Sequence, residues 1–412
     1  MDTSLGDSAA ANPATATATA TATTATTATT ANNTHIPALT GVRFFAVLHI
    51  FMFHLWVLYD MDKPAQYSEL VSGFSRLPEF VVNVFSNGWM STSFFFILSG
   101  FILSYLYWGE DGKIVGGAQR FWFRRLARLY PIHVICLLIT LVVVGPYLLS
   151  FSPLSEIIPS AFATLLLVQA WYPPFVPDWN WPAWTISALL FLYLIMPWLI
   201  AKLSSLSKTK LKILLLALPV IALLPTVVYA VYFPAGSEPQ QNWQIFIGST
   251  PVFWVAQFVF GMVLSRAFGI SRFNRHWRED GNRMLAWGDL ALIAVIAVAC
   301  IPNILEPLKF FVRHGLMMPL YAIIILDFAK GNGIAARLFS LPGTGFLGET
   351  AFSLFIWQNM AMVICWITAE NIAGAGFQQV WAAPLGLAAF AIISTYAVEK
   401  PIARKLRERF ER

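Results

Sequence analysis

The sequence predicts an all-α integral membrane protein of about ten transmembrane helices plus one short re-entrant or interfacial segment. Three observations carry this. Of 412 residues, 58% are hydrophobic and 12% charged, whereas a soluble protein carries about 25% charge. Eleven apolar runs follow one another, and ten approach the roughly 20 residues that a helix needs to cross a bilayer. The basic residues gather in alternate loops, the pattern that orients membrane helices.

Residues 1–34 come first. From 8 to 31 they are almost entirely Ala and Thr, a composition that cannot bury a core and predicts a disordered cytoplasmic tail. A basic segment followed by an apolar one is missing there, so no signal peptide is expected. The runs at 40–60, 87–108, 129–150, 184–203, 211–232, 251–268, 284–302, 309–328, 346–368 and 376–398 read as spans, with 251–268 near the lower length limit. The run at 157–171 is too short.

Charge decides how that short run is placed. If it does not cross and the N-terminus is cytoplasmic, 23 of the 27 Lys and Arg face the cytoplasm; only Lys63, Arg76, Lys309 and Arg313 face outside. If it crossed, the basic loops after it would alternate wrongly. The expected topology therefore has both termini cytoplasmic in a cell inner (plasma) membrane. The short segment then lies at membrane depth only where protein covers it or it lines a cavity. The expected domains are the 1–34 tail, a membrane domain over 35–400 and a basic cytoplasmic tail over 401–412.

The net charge of +6 is spent on these loops and does not signal nucleic-acid binding. Cys136, Cys300 and Cys365 lie in apolar runs without a CxxC or Cys/His cluster, so they read as small buried hydrophobes. No metal-ligand spacing is present, and no metal is expected.

Chemistry enters with the first span, GVRFFAVLHIFMFHLWVLY. Arg43 and His54 are eleven residues apart, about three helical turns, so they share a face with an axial offset of roughly 16 Å. Ionisable groups inside a span are costly and usually functional; the plain alternative is a snorkelling arginine and an unrelated polar contact for the histidine. His49 lies about 140° round the helix from His54 and reads as structural. In FWFRRLARLYP (121–131), Arg124, Arg125 and Arg128 can share a helical face. They serve either as a topology signal or as a bidentate phosphate site for an acyl-CoA or nucleotide-linked donor. The loop WYPPFVPDWNWPAW (171–184) is either an interfacial anchor or one wall of a cleft. Ser99-Gly100 in the second span suits close helix packing.

Taken in order, Arg43-x10-His54, FFFILSGFILS, RRLARLYP, PAWTISALLFLYLIMP (182–197), PVFWVAQFVFGMVL (251–264), FLGETAFSLFIWQ (346–358) and VEKP (398–401) resemble the membrane-bound acyltransferase-3 family over about residues 35 to 402. The resemblance implies transfer of an acyl group, acetyl being the expected one, from cytoplasmic acyl-CoA to a hydroxyl of a surface or exported polysaccharide or glycolipid. Acyl-CoA would be a donor substrate, with no bound cofactor; membrane lipid would be the further partner. Arg43 and His54 map to the family's supposed catalytic pair, and Arg125 and Arg128 to its R-x-x-R pattern. On this reading His54 is the general base. Arg43 binds donor phosphate or stabilises developing charge, and Arg125, Arg128 and Arg124 hold the donor. Trp184, Ser187, Tyr193 and Glu349 line the acceptor side. Leu189 stands where the family usually has Glu, and Phe352 and Gln358 stand at its Tyr and His positions. The rival readings are a glycolipid transporter or flippase, for which an internal repeat is missing, and a non-catalytic relative.

Overall fold

Among the described residues the chain forms fifteen helices of eight or more residues and no strand. The computed structural model describes residues 35–410 apart from 61–73, 75, 233–240, 273–283, 285, 303, 305–307 and 372–374. The expected tail of residues 1–34 lies outside the described residues, as do Lys63, Arg275, Arg278 and Arg283 of the charge pattern. In chain order the helices are α1 (Pro37–Asp60), α2 (Glu79–Ser86), α3 (Ser91–Tyr107), α4 (Ala118–Val143), α5 (Leu154–Leu165), α6 (Trp184–Ser204), α7 (Lys208–Tyr232), α8 (Gln241–Ser249), α9 (Val255–Ala267), α10 (Trp287–Ala299), α11 (Met318–Lys330), α12 (Pro342–Glu349), α13 (Ala351–Asn371), α14 (Ala375–Ser394) and α15 (Lys400–Phe410).

Length and composition make this a multi-pass membrane protein. Eight helical stretches among the described residues are long and apolar enough to cross a bilayer. A ninth is the pair α8 and α9, bent by 46° at a break. The cause of the break is local: Pro251 opens a tight turn over Pro251–Trp254, and a proline cannot donate the bond that would continue the preceding helix. The run at 284–302, expected as a tenth span, forms the 13-residue α10. At about 1.5 Å per residue that is roughly 20 Å, shorter than the hydrocarbon core. The short run at 157–171 folds as the 12-residue α5 followed by a tight turn at Gln169–Trp171. The basic tail expected from 401 is the helix α15, whose Phe410 stacks on Phe123 of α4 at 3.9 Å.

The centre of the bundle is α1 against α3, with α3 tightly packed on α9. A methyl group on Gly100 would run into the backbone carbonyl of Phe258, and one on Gly261 into that of Ile97. These two glycines let the backbones of α3 and α9 touch, as small residues do between membrane helices. Phe96 of α3 stacks on Trp254 at 4.4 Å in the same region. Two stretches depart from α-helical winding: π-helical turns at Val312–Leu316 and at Thr395–Glu399. Each inserts an extra residue into the helix and turns a side chain off the regular face, which is why such turns collect at functional sites.

Candidate functional site

Two separate cavities open along α1, one at each of the residues picked out from its sequence. Arg43 lines a cavity of about 190 Å³ together with Arg125, Arg128, Ser99, Leu189 and Tyr193. His54 lines another of about 450 Å³ together with Trp89, Trp181, Trp184, Lys309 and Arg313. We term them the basic chamber and the histidine chamber. Arg43 and His54 do share a helical face, but the roughly 16 Å between them puts them in different rooms. The wall is aromatic: Phe95 lines the basic chamber, Phe355 lines the histidine chamber, and their rings stack at 6.4 Å.

The basic chamber holds three guanidiniums from two helices. Arg125 donates from Nη2 to the Tyr107 hydroxyl at 2.9 Å and lies 5.2 Å from the Tyr107 ring centroid. Arg128 pairs with Glu399 at 3.5 Å. Glu399 itself is buried and accepts a hydrogen bond from the Ser353 hydroxyl at 2.8 Å. Its π-helical turn, at the VEKP segment, brings it there. No carboxylate is at ion-pair distance from Arg43 among the described residues. The chamber thus carries more cationic than anionic charge, which favours an anionic occupant. Phosphate matches the planar guanidinium fork.

The histidine chamber is built around His54 of α1. Its Nδ1 is 2.9 Å from the Gln358 side-chain oxygen. The orientation of that amide follows from its other end: Gln358 Nε2 donates to the Phe355 carbonyl at 2.9 Å, and a carbonyl only accepts. The amide oxygen therefore faces His54 and accepts the Nδ1 proton. In a neutral ring this leaves the lone pair on Nε2. His49, five residues earlier, is fully engaged. Its Nε2 donates to the Val84 carbonyl at 2.7 Å, and its Nδ1 accepts from the Ser91 hydroxyl at 2.8 Å.

The 171–184 loop forms one wall, and buried polar bonds hold it in place. Trp179 donates to the Ser160 hydroxyl of α5 at 2.9 Å, Asn180 to the Ile356 carbonyl of α13 at 3.1 Å, and Asn359 to the Trp179 carbonyl at 3.1 Å. His133 of α4 donates to the Thr164 carbonyl at 2.9 Å and ties α5 from the other side. This clamp places Trp181 5.9 Å from the His54 ring and puts Trp184 at the start of α6.

Across the chamber is Arg313, on the first π-helical turn. Its guanidinium lies 5.4 Å from the Trp184 ring and 5.3 Å from Trp254, and it donates to the Gly248 carbonyl at 3.2 Å. The Arg313 carbonyl accepts from the Ser93 hydroxyl of α3. Arg313 is within electrostatic reach of His54. Lys309 lies over the rings of Phe53 and Trp89 at 5.9 Å and 5.8 Å.

The other expected residues fall as follows. Trp184, expected on the acceptor side, lines the histidine chamber. Tyr193, also expected on the acceptor side, lines the basic chamber with the three arginines, nine residues and two and a half turns from Trp184 on α6. Ser187 lines neither chamber; its hydroxyl donates to the Leu167 carbonyl at 2.6 Å. Leu167 has φ of +57°, a left-handed conformation rare for a side chain of its kind, and Ser187 pins that turn. Glu349 is exposed at the end of α12, outside both chambers, where it accepts from Tyr396 at 3.0 Å and pairs with Lys400. Arg124 lies outside the basic chamber's lining, a residue before Arg125 and so rotated off its face. Arg313, Lys309, Glu399 and the orienting role of Gln358 were missed from sequence. One signal was present: Lys309 and Arg313 are two of only four basic residues that break the charge asymmetry, and they are four apart.

Comparison with known proteins adds a second line of evidence. A family model described as "Acyltransferase domain", of the acyltransferase-3 type, matches residues 36–399. The chain is 30% identical over 164 residues to acyltransferase MdmB of Streptomyces mycarofaciens, covering 39% of this chain and 38% of that protein. It is 20% identical over 386 residues to the putative peptidoglycan O-acetyltransferase YrhL of Bacillus subtilis (strain 168), covering 90% of this chain and 56% of that protein. The chain thus spans between 38% and 56% of the length of these relatives. No solved structure matches.

Proposed function

The chain belongs to the acyltransferase-3 family, and on that premise we propose that it is a membrane O-acyltransferase that moves an acyl group from cytoplasmic acyl-CoA to a hydroxyl of a cell-surface or exported glycan or glycolipid. The observation that carries this reading is the pair of chambers on α1, one rich in arginine and one holding a histidine of defined tautomer. They match the two ends of an acyl-CoA, anionic phosphates and a reactive thioester.

In this account the CoA phosphates sit on Arg43, Arg125 and Arg128, with Arg128 steadied by Glu399. The pantetheine arm runs past Phe95 and Phe355 toward His54. The acceptor stacks on Trp181 and Trp184, whose flat apolar faces suit sugar rings. His54 Nε2 takes the proton of the acceptor hydroxyl as its oxygen bonds to the thioester carbon. The tetrahedral intermediate collapses, the C–S bond breaks, and the imidazolium proton goes to the CoA sulfur. Gln358 keeps Nδ1 protonated throughout and so keeps the base available. The positive-inside pattern supports a basic chamber on the cytoplasmic side, where acyl-CoA is found, and a histidine chamber toward the outside. Of the two roles open to Arg43, this separation favours phosphate binding.

The test is direct. Cell-surface glycans from cells with and without the protein are compared by mass spectrometry, and purified protein is incubated with radiolabelled acetyl-CoA and the glycan fraction. Ester-linked acyl groups that depend on the protein, with release of CoA, are expected. Identical glycans together with no CoA release would contradict the reading.

A further inference from the structure

Acyl transfer passes through a tetrahedral intermediate whose carbonyl oxygen carries negative charge, and enzymes stabilise that charge with a preorganised donor close to it. If the thioester reacts at His54, that donor has to face the histidine chamber. Arg43 does not: it lies about three turns down α1 and lines the other cavity. Among the described residues two cations line the histidine chamber, Lys309 and Arg313.

Lys309 rests against Phe53 and Trp89. Arg313 is gripped by three elements: its guanidinium lies against Trp184 of α6 and Trp254, and it bonds to the Gly248 carbonyl of α8. Its backbone is tied to Ser93 of α3. The π-helical turn at Val312–Leu316 is what presents it. A planar cation fixed in this way stabilises new charge without first reorganising.

We propose that Arg313 is a further catalytic residue, the cation that stabilises the oxyanion formed on the thioester carbon when His54 activates the attacking hydroxyl. The inference rests on the acyl-CoA reading above. In the balanced step, the attacking O–H proton goes to His54 Nε2 while the carbonyl π electrons move onto oxygen beside Arg313. They return as the C–S bond breaks, and the proton ends on the CoA sulfur.

Because water can replace the acceptor, the experiment needs no knowledge of the natural one. Purified wild-type, Arg313→Gln, Arg313→Lys, Arg313→Ala and Lys309→Gln proteins in lipid nanodiscs are given acetyl-CoA, and thiol release is followed. For Arg313→Gln, kcat should fall by about 10²–10³-fold, the usual effect of losing an oxyanion donor, with KM for acetyl-CoA unchanged. Arg313→Lys should retain part of the rate, Lys309→Gln should lose far less, and added guanidinium should restore Arg313→Ala at constant protein level. The guanidinium rescue separates a chemical role from a folding role. A raised KM with kcat intact, or a rate in Arg313→Gln equal to wild type, would overturn the inference alone. Wild-type protein that releases no thiol would overturn the acyl-CoA reading and this inference with it.

Discussion

His54 Nδ1 and the Gln358 side-chain oxygen meet at 2.9 Å, and the second bond of that amide, to the Phe355 carbonyl, sets which atom faces the ring. A single glutamine thereby assigns the ring protons of the histidine on α1. The consequence is chemical: only one nitrogen is left to take a proton.

Replacing Gln358 with Leu keeps the volume but releases the ring. The tautomer is then unspecified and Nε2 is protonated part of the time. Acyl transfer by Gln358→Leu should fall, by less than the roughly 10²–10⁴-fold expected for removing the base itself, while Gln358→Glu should retain more because a carboxylate accepts the same proton. Rates measured on purified protein check this; a Leu variant as fast as wild type would remove Gln358 from the account.

The basic chamber makes a prediction about shape as well as charge. Arg125→Lys and Arg128→Lys keep the charge and lose the planar fork. Hydrogen bonds to charged groups are worth about 1.5–3 kcal/mol, so KM for acetyl-CoA should rise by about 10–100-fold with protein level unchanged. Binding by calorimetry or initial rates would show it. Unchanged affinity would leave the cluster as a topology signal.

Phe95 of the basic chamber stacks on Phe355 of the histidine chamber, and on the proposed reading the acyl group has to pass them. Enlarging the barrier with Phe355→Trp should slow transfer from long-chain acyl-CoA more than from acetyl-CoA. The ratio of the two rates is the readout, and an unaltered ratio would mean that the donor takes another path.

The 171–184 loop carries one acid, Asp178. Partial burial pushes its carboxyl above the ordinary range; a hydrogen bond with Ser160 opposes this, and the charge of Glu156 adds to it. The folded state therefore binds this proton more tightly than the unfolded chain does. Its contribution to stability is complete below the ordinary carboxylate range and is lost as pH rises through the raised folded value. Asp178→Asn should melt above wild type at neutral pH and converge with it in acid. Thermal melts followed by tryptophan fluorescence at the two pH values decide it, and equal melting points at neutral pH would contradict the argument.

Much of this was legible before folding. Hydropathy located the spans, and the helical period put Arg43 and His54 on one face. The same period set His49 apart, and its two hydrogen bonds to Ser91 and Val84 show what holds it. What periodicity along one helix cannot reveal is what other helices insert between two of its residues. Phe95 and Phe355 come from α3 and α13, and they divide the face that the sequence presents as continuous. The exposed setting of Glu349, expected on the acceptor side, was hidden for a related reason: its partners Tyr396 and Lys400 are some fifty residues away. Arg313 stayed hidden because a π-helical turn has no sequence signature of its own. Its exceptional place outside the positive-inside pattern was the clue.

The central claim is that His54 is the base, and comparison with His49 tests it most directly. Acetyl transfer from acetyl-CoA is measured for wild type, His54→Ala and His49→Ala, each normalised to folded protein in the membrane. His49→Ala gives up two hydrogen bonds, each leaving a partner unsatisfied at a cost of about 1–3 kcal/mol, so less folded protein is expected but near-normal activity per folded molecule. His54→Ala gives up one hydrogen bond, to Gln358, so some loss of folded protein is expected as well, but its rate per folded molecule should fall by about 10²–10⁴-fold. Equal loss of specific activity in the two variants, or full activity in His54→Ala, would contradict the account.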